Sequence, residues 1–139
     1  MKKVLYFGHP VNVYDEPLET ELLEKISKAF PGWKIENPNK PCHEEGYQHW
    51  KTTTGKGMAY YFMEVLPCCD GGIFLPFRDG AWGAGVHGEA EFFVDRGQPI
   101  WTISPTGTIA SPDFKSAWKL SVKDTIDRIR TPSGDRVPY

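Results

Sequence analysis

Apolar residues along this chain alternate between short unbroken runs and stretches where they return every three or four positions. The run in "KVLYFG" (3–8) ends at a glycine and predicts a strand buried on both faces. Leu18, Leu22, Leu23 and Ile26 then recur at helical spacing, with Asp15 and Glu16 where a helix dipole favours acids; they predict a helix from Pro17 to Phe30. "WKIENP" (33–38) predicts a second strand. Met58, Tyr61, Phe62 and Val65 share one face of a predicted helix over 57–66, closed by Pro67 and two cysteines. "GGIFLPF" (71–77) and "QPIWTIS" (98–104) predict the third and fourth strands, with a helix over 84–96 between them. Ala117–Leu120 predicts a short fifth strand. Ser121 followed by Asp124 predicts a capped last helix with Val122, Ile126 and Ile129 inward.

Strands that alternate with helices and are apolar along their whole length predict an α/β fold: one domain over 1–139, with a parallel sheet covered by helices on both faces. In such sheets ligands bind beyond the C-terminal ends of the strands. That rule selects Gly8–Tyr14, 38–56, Phe77–Gly85 and Ser104–Ser111. The second of these, around "NKPCHEEGYQHWKTTTGKG", is polar and aperiodic and reads as a long functional loop.

Composition narrows the function classes. A formal charge of −2 leaves no basic footprint for a nucleic-acid partner. No apolar run approaches the roughly 20 residues of a membrane span, and the apolar stretch at the N-terminus is too short for a signal peptide. Three cysteines, an odd number in a chain without an export signal, fit a reducing cytoplasm. No cofactor is expected. Cys42, His43, His49, Cys68, Cys69 and His87 lack zinc-ligand spacing, and the cysteine pair reads as small core residues rather than a nucleophile. "TTTGKG" (52–57) lacks the first glycine and final Ser/Thr of a phosphate-binding Walker loop.

The segment "DGAWGAGVHGEAEFF" (79–93) carries the sharpest question. Gly83, Gly85 and Gly88 spell G-x-G-x-x-G, but they follow the third strand rather than the first, and no acid occurs about 20 residues on to hold a ribose. The glycines are better read as letting a ligand approach the amide-rich start of a helix. At about 100° per residue, Val86, Ala90 and Phe93 form that helix's buried stripe, with Glu91 and Asp95 opposite and Glu89 at the margin. Glu89 is then either a first-turn acid complementing the dipole or a partly buried acid with a task.

"DGGIFLPFRDGAWGAGVHGEAEFFVDRGQPIWTIS" (70–104) resembles the central signature of the nucleoside 2-deoxyribosyltransferases and the related deoxynucleotide N-glycosidases. An Asp opens an apolar strand (Asp70). A polar, glycine-bearing loop follows (Asp79, Gly83, Gly85), then a helix bearing Glu (Glu89) and a closing Gly97-Gln98-Pro99. "VLYFGHP" resembles the family's first strand and "LSVKDTIDRIR" its last helix. Where the family usually carries an Asp, eight residues before Asp70, this chain has Phe62. The resemblance implies a flavodoxin-like (Rossmann-like), doubly wound fold of about five parallel strands, assembled as a homodimer or higher homo-oligomer.

It also implies roles. Glu89 is the nucleophile that stabilises or traps a sugar's oxocarbenium-like centre, so that water gives hydrolysis and a second base gives transfer. Asp79 is either a sugar partner or proton donor, or a turn residue before Gly80. Tyr6 either orients the nucleophile or sugar, or packs the strand. Gly8 borders the sugar pocket. His9 either meets a phosphate or base, or is a loop histidine. Trp82 either stacks on a base or packs as core. Gln48, His49 and Trp50 are candidates for base recognition by position alone. With few arginines nearby beyond Arg78, a phosphate would rest mainly on backbone amides of Gly8–Val11 or Gly83–Gly85. The expected ligand is a nucleoside or nucleoside 5′-monophosphate; the alternative is a non-catalytic sensor of nucleotides or nucleotide-sugars with the same fold.

Overall fold

The structure is a computed structural model that describes residues 2–139. Strands β1 (Val4–Gly8), β2 (Lys34–Glu36), β3 (Gly71–Phe74), β4 (Ile100–Ile103) and β5 (Ile109–Ala110) form one sheet in the order β2-β1-β3-β4-β5. The first four are mutually parallel, with Leu5 opposite Ile35 and Gly71, and Ile73 opposite Trp101. Asp70, ahead of β3, accepts the Val4 amide on Oδ2 at 2.7 Å and so ties the starts of β1 and β3 together.

Helices cover both faces. On one, α1 (Pro17–Ala29) buries Leu22 and Ile26 against Leu5, Phe7, Ile73 and Ile103. On the other, α3 (Ala84–Asp95) buries Val86, Ala90 and Phe93 against Tyr6 and Phe74. The strands read as continuous apolar runs because each face meets its own helix layer. Because β2 and β3 flank β1 on opposite sides, the C-terminal ends of β1 and β3 bound the sheet's crevice. No helix among the described residues is long and apolar enough to cross a membrane.

Four expectations need correction. The sheet is mixed, because β5 pairs with β4 antiparallel. The fifth strand is Ile109–Ala110 rather than 117–120; Lys119 instead makes a single parallel bridge to Trp82. The 38–56 stretch is mostly helix α2 (Pro41–Thr54), bounded by Pro41 at its start and Gly55 at φ 73° after its end. It escapes a periodicity reading because it buries only His43. The last helix, α4 (Val122–Ile129), takes the Ser121 cap, with the Asp124 amide donating to Oγ at 3.0 Å. Its Val122 and Ile126, however, face outward, at 67 % and 54 % exposure.

The helix expected over 57–66 includes a π-helical turn, Tyr61–Val65, followed by a 3-10 turn, Leu66–Cys68. Wide turns of this kind occur frequently at functional sites. Here the segment lays Tyr60, Tyr61 and Phe62 against the core cluster beneath α3.

Candidate active site

Glu89 is buried, 7 % exposed, one and a half turns into α3. Its side chain reaches β1, where the fully buried Tyr6 hydroxyl donates to Oε2 in a very short hydrogen bond. Gly8, two residues on, is a glycine for lack of room: a Cβ there would come within 2.5 Å of Phe74 and 3.3 Å of Glu89 Oε1. None of the ion pairs among the described residues involves Glu89. Burial therefore pushes its carboxyl up from 4.5 to about 7, against the opposing pull of the Tyr6 hydroxyl.

Two further tyrosines stand in the field of this acid. Burial first, and the Glu89 charge second, raise the hydroxyl pKa of Tyr14 and Tyr61 well above the ordinary value. Burial and the same charge hold the Tyr6 proton in place as well. The result is a carboxyl with one hydroxyl donor, Tyr6, whose proton stays in place at any physiological pH. Tyr14 and Tyr61 were not singled out from the sequence: aromatic residues after a strand or on an apolar helix face look like core. Met58 and Phe62 lie over the start of α3, with Met58 Cε 3.9 Å from a Cβ built on Gly85 and Phe62 Cζ 3.6 Å from one on Gly88.

The glycines of the approach loop differ in what they offer. Gly83 caps α3, but the next amide, Ala84, already donates to Thr125 Oγ1 of α4 at 2.9 Å. The Gly85 and Val86 amides follow in the first turn, where a helix supplies no internal acceptor.

Other candidates are placed elsewhere. His9 is 4 % exposed, and both ring nitrogens are engaged: Nδ1 with the Phe7 carbonyl at 2.9 Å, Nε2 with Glu19 Oε2 at 2.8 Å. Stacked on Phe7, it is a structural strut rather than a phosphate contact. Trp82, 5 % exposed, is wedged among Phe74, Phe114 and His87, with no ring face open to a base. Asp79 is exposed and pairs with Arg128 through both carboxylate oxygens at 2.9 Å. Those hydrogen bonds hold its pKa below the ordinary value, so it has no proton to donate at neutral pH. Gln48, His49 and Trp50 lie along α2, where Gln48 Nε2 donates to Glu44 at 3.0 Å. Tyr139 packs on Phe77 of its own chain and donates to the Pro76 carbonyl at 2.6 Å.

Comparisons with protein-family models, curated proteins and solved structures return no match to this chain.

What the arrangement does chemically follows from its groups. A buried acid poised near neutrality and held by one tyrosine donor suits stabilisation of a transient cation or nucleophilic attack on carbon. Burial pushes the Cys69 thiol up to about 12, so it is protonated at neutral pH. No group of three or more His, Cys, Asp or Glu side chains able to hold a metal ion occurs among the described residues.

Proposed function

We propose that this protein cleaves or transfers the N-glycosidic bond of a nucleoside or nucleoside 5′-monophosphate, with Glu89 as nucleophile, on a flavodoxin-like fold whose fifth strand runs antiparallel. The observation that carries this reading is the buried Glu89 carboxyl, held by Tyr6 alone at the rim between β1 and β3. A buried acid without a cation costs stability, and such an acid is kept where it is used. Its signature resemblance supplies the reaction class.

In the forward step a Glu89 oxygen attacks the anomeric carbon as the bond to the base nitrogen breaks. The base leaves with the bonding electrons and takes a proton from solvent. Water, or the nitrogen of a second base, then attacks the same carbon and frees Glu89. Tyr6 has two effects on this step. Its hydrogen bond favours the ionised nucleophile, and it aims the attacking oxygen. Trp82 and His9 are engaged in packing and in the contact with Glu19, and Asp79, ionised against Arg128, is not the proton donor in this scheme. Because Glu89 is 7 % exposed, a sugar reaches it only when side chains packed on α3 part. Val122 and Ile126, one turn apart on α4 and both exposed, are in keeping with the homo-oligomer that the resemblance implies.

The test is a panel of ribo- and deoxyribonucleosides and their 5′-monophosphates, with free base followed by chromatography. At least one member should release base, and release should vanish with Glu89→Gln. Silence across the whole panel removes the enzyme reading. The closed cover over Glu89 favours one rival, a non-catalytic nucleotide or nucleotide-sugar sensor. That rival requires a ligand that raises the melting temperature with no base release.

A further inference from the structure

The single residue that α2 buries, His43, joins two side chains from other parts of the chain. Its Nε2 meets Oε1 of Glu36, at the end of β2, at 2.5 Å, and its Nδ1 meets the Tyr60 hydroxyl at 2.8 Å. Lys40, at the cap of α2, donates to the other Glu36 oxygen at 3.1 Å. Burial raises the Glu36 pKa, but the bonds from His43 and Lys40 outweigh it and hold the carboxyl below its ordinary value. At neutral pH Glu36 is therefore an anion that can only accept, so Nε2 of His43 carries a proton. In the neutral ring Nδ1 then offers a lone pair, to which the Tyr60 hydroxyl donates.

The phenol is held in place as well. A Cβ on Gly46 of α2 would come within 2.2 Å of the Tyr60 ring, so that ring rests directly on the helix backbone. Tyr61 packs edge-on against it at 5.2 Å. Tyr60 is only half-buried, whereas His43 behind it is buried. Burial first, and then the Cys42, Glu64 and Glu36 groups, raise the Tyr60 hydroxyl pKa above its ordinary value. The oxygen thus keeps its proton at neutral pH and becomes a nucleophile only as a base removes it. A carboxylate that orients an imidazole, itself bonded to a hydroxyl, is the arrangement that supplies such a base.

We propose that Glu36, His43 and Tyr60 form a second nucleophilic centre, at which the Tyr60 hydroxyl accepts an acyl group from a small activated ester. Tyr60 Oη bonds the ester's carbonyl carbon while the bond from that carbon to the leaving oxygen breaks. His43 Nδ1 takes the phenolic proton and passes it to the leaving oxygen, which departs with the bonding electrons. The products are an O-acyl tyrosine and a free alcohol or phenol. Glu36 is a positioning residue: it fixes the proton on Nε2 and so keeps Nδ1 free to act as base. The centre is separate from Glu89, whose hydrogen bond is to Tyr6.

Incubation of the full chain with p-nitrophenyl acetate, followed by mass-spectrometric mapping of the acetylated residues over time, tests this. Tyr60 should be acetylated at least about tenfold faster than Tyr47, a half-buried tyrosine of α2 whose hydroxyl bonds no histidine among the described residues. In the urea-unfolded chain the two should react alike. His43→Gln should bring Tyr60 down to the Tyr47 rate, and Glu36→Gln should slow it several-fold. A purely structural tie among the three would shield Tyr60 rather than speed it. Equal rates in the folded parent, acetyl groups on cysteine alone, or a Tyr60 preference that survives in urea overturns the centre. So does a preference that survives in folded His43→Gln or Glu36→Gln. If either variant fails to fold, the ratio of Tyr60 to Tyr47 in the folded and unfolded parent decides.

Discussion

Two glutamates of this chain, Glu19 and Glu89, are each 7 % exposed, with Glu89 set deeper in the molecule, and they meet opposite treatment. Around Glu19 burial raises the pKa, but His9, Asn39 and the Asp15 amide all donate to the carboxylate and together hold it below the ordinary value. Around Glu89 burial meets a single donor, Tyr6, and the carboxyl is left at about 7. The first acid is compensated and braces the loop after β1 against α1 and Asn39. The second has only Tyr6 to offset its burial, and the proposed reaction gives that acid its task.

The contrast is tested most severely by activity. Glu89→Gln should lower base release at least about a thousandfold, as removal of a nucleophile does. Glu19→Ala should leave the rate per folded molecule within a few-fold. Comparable losses in both variants would mean that burial alone, and not the missing partner, matters.

Stability should move the other way. Glu19→Ala strips His9 and Asn39 of their partner and should cost about 3 kcal/mol. Glu89→Gln should gain up to about 3 kcal/mol at pH 8, from a shift of 4.5 to about 7. Their pH dependences differ in sign. Because the Glu89 pKa is raised on folding, its stability contribution is complete below about 4.5 and is lost as pH rises through about 7. The advantage of Glu89→Gln over the parent should therefore grow across that window. Because the Glu19 pKa is lowered, its contribution is complete above the unfolded value and fades toward acid. Denaturant melts at pH 5 and pH 8 separate the two cases.

The rate itself should rise with pH through about 7 as Glu89 ionises. Tyr6→Phe removes the one donor that favours the ionised form and should displace that limb upward by about one pH unit. A limb that stays where it was would show that the hydrogen bond does not set the acid. The smallest effect belongs to Asp79→Asn, which breaks an exposed pair with Arg128. It should leave both rate and melting temperature nearly unchanged; a large loss of rate would return Asp79 to the chemistry.

Residue pattern alone was enough for the strands β1 to β4, for α1, α3 and the Ser121 cap, and for Glu89 as an acid near an apolar stripe. Each is written in neighbouring positions: a run, a period, a cap three residues from its partner. Helix α2 was illegible because a helix that buries only His43 has no apolar face to show, and the direction of β5 was illegible because strand pairing is a long-range choice. The roles of individual polar residues lay beyond the pattern for the same reason. His9 follows the end of β1 and Glu89 lies within α3, yet Glu19 comes to one and Tyr6 to the other. Which buried charge finds a partner depends on chain segments 10 or 83 positions away, and only the folded arrangement brings those donors within a hydrogen bond's reach.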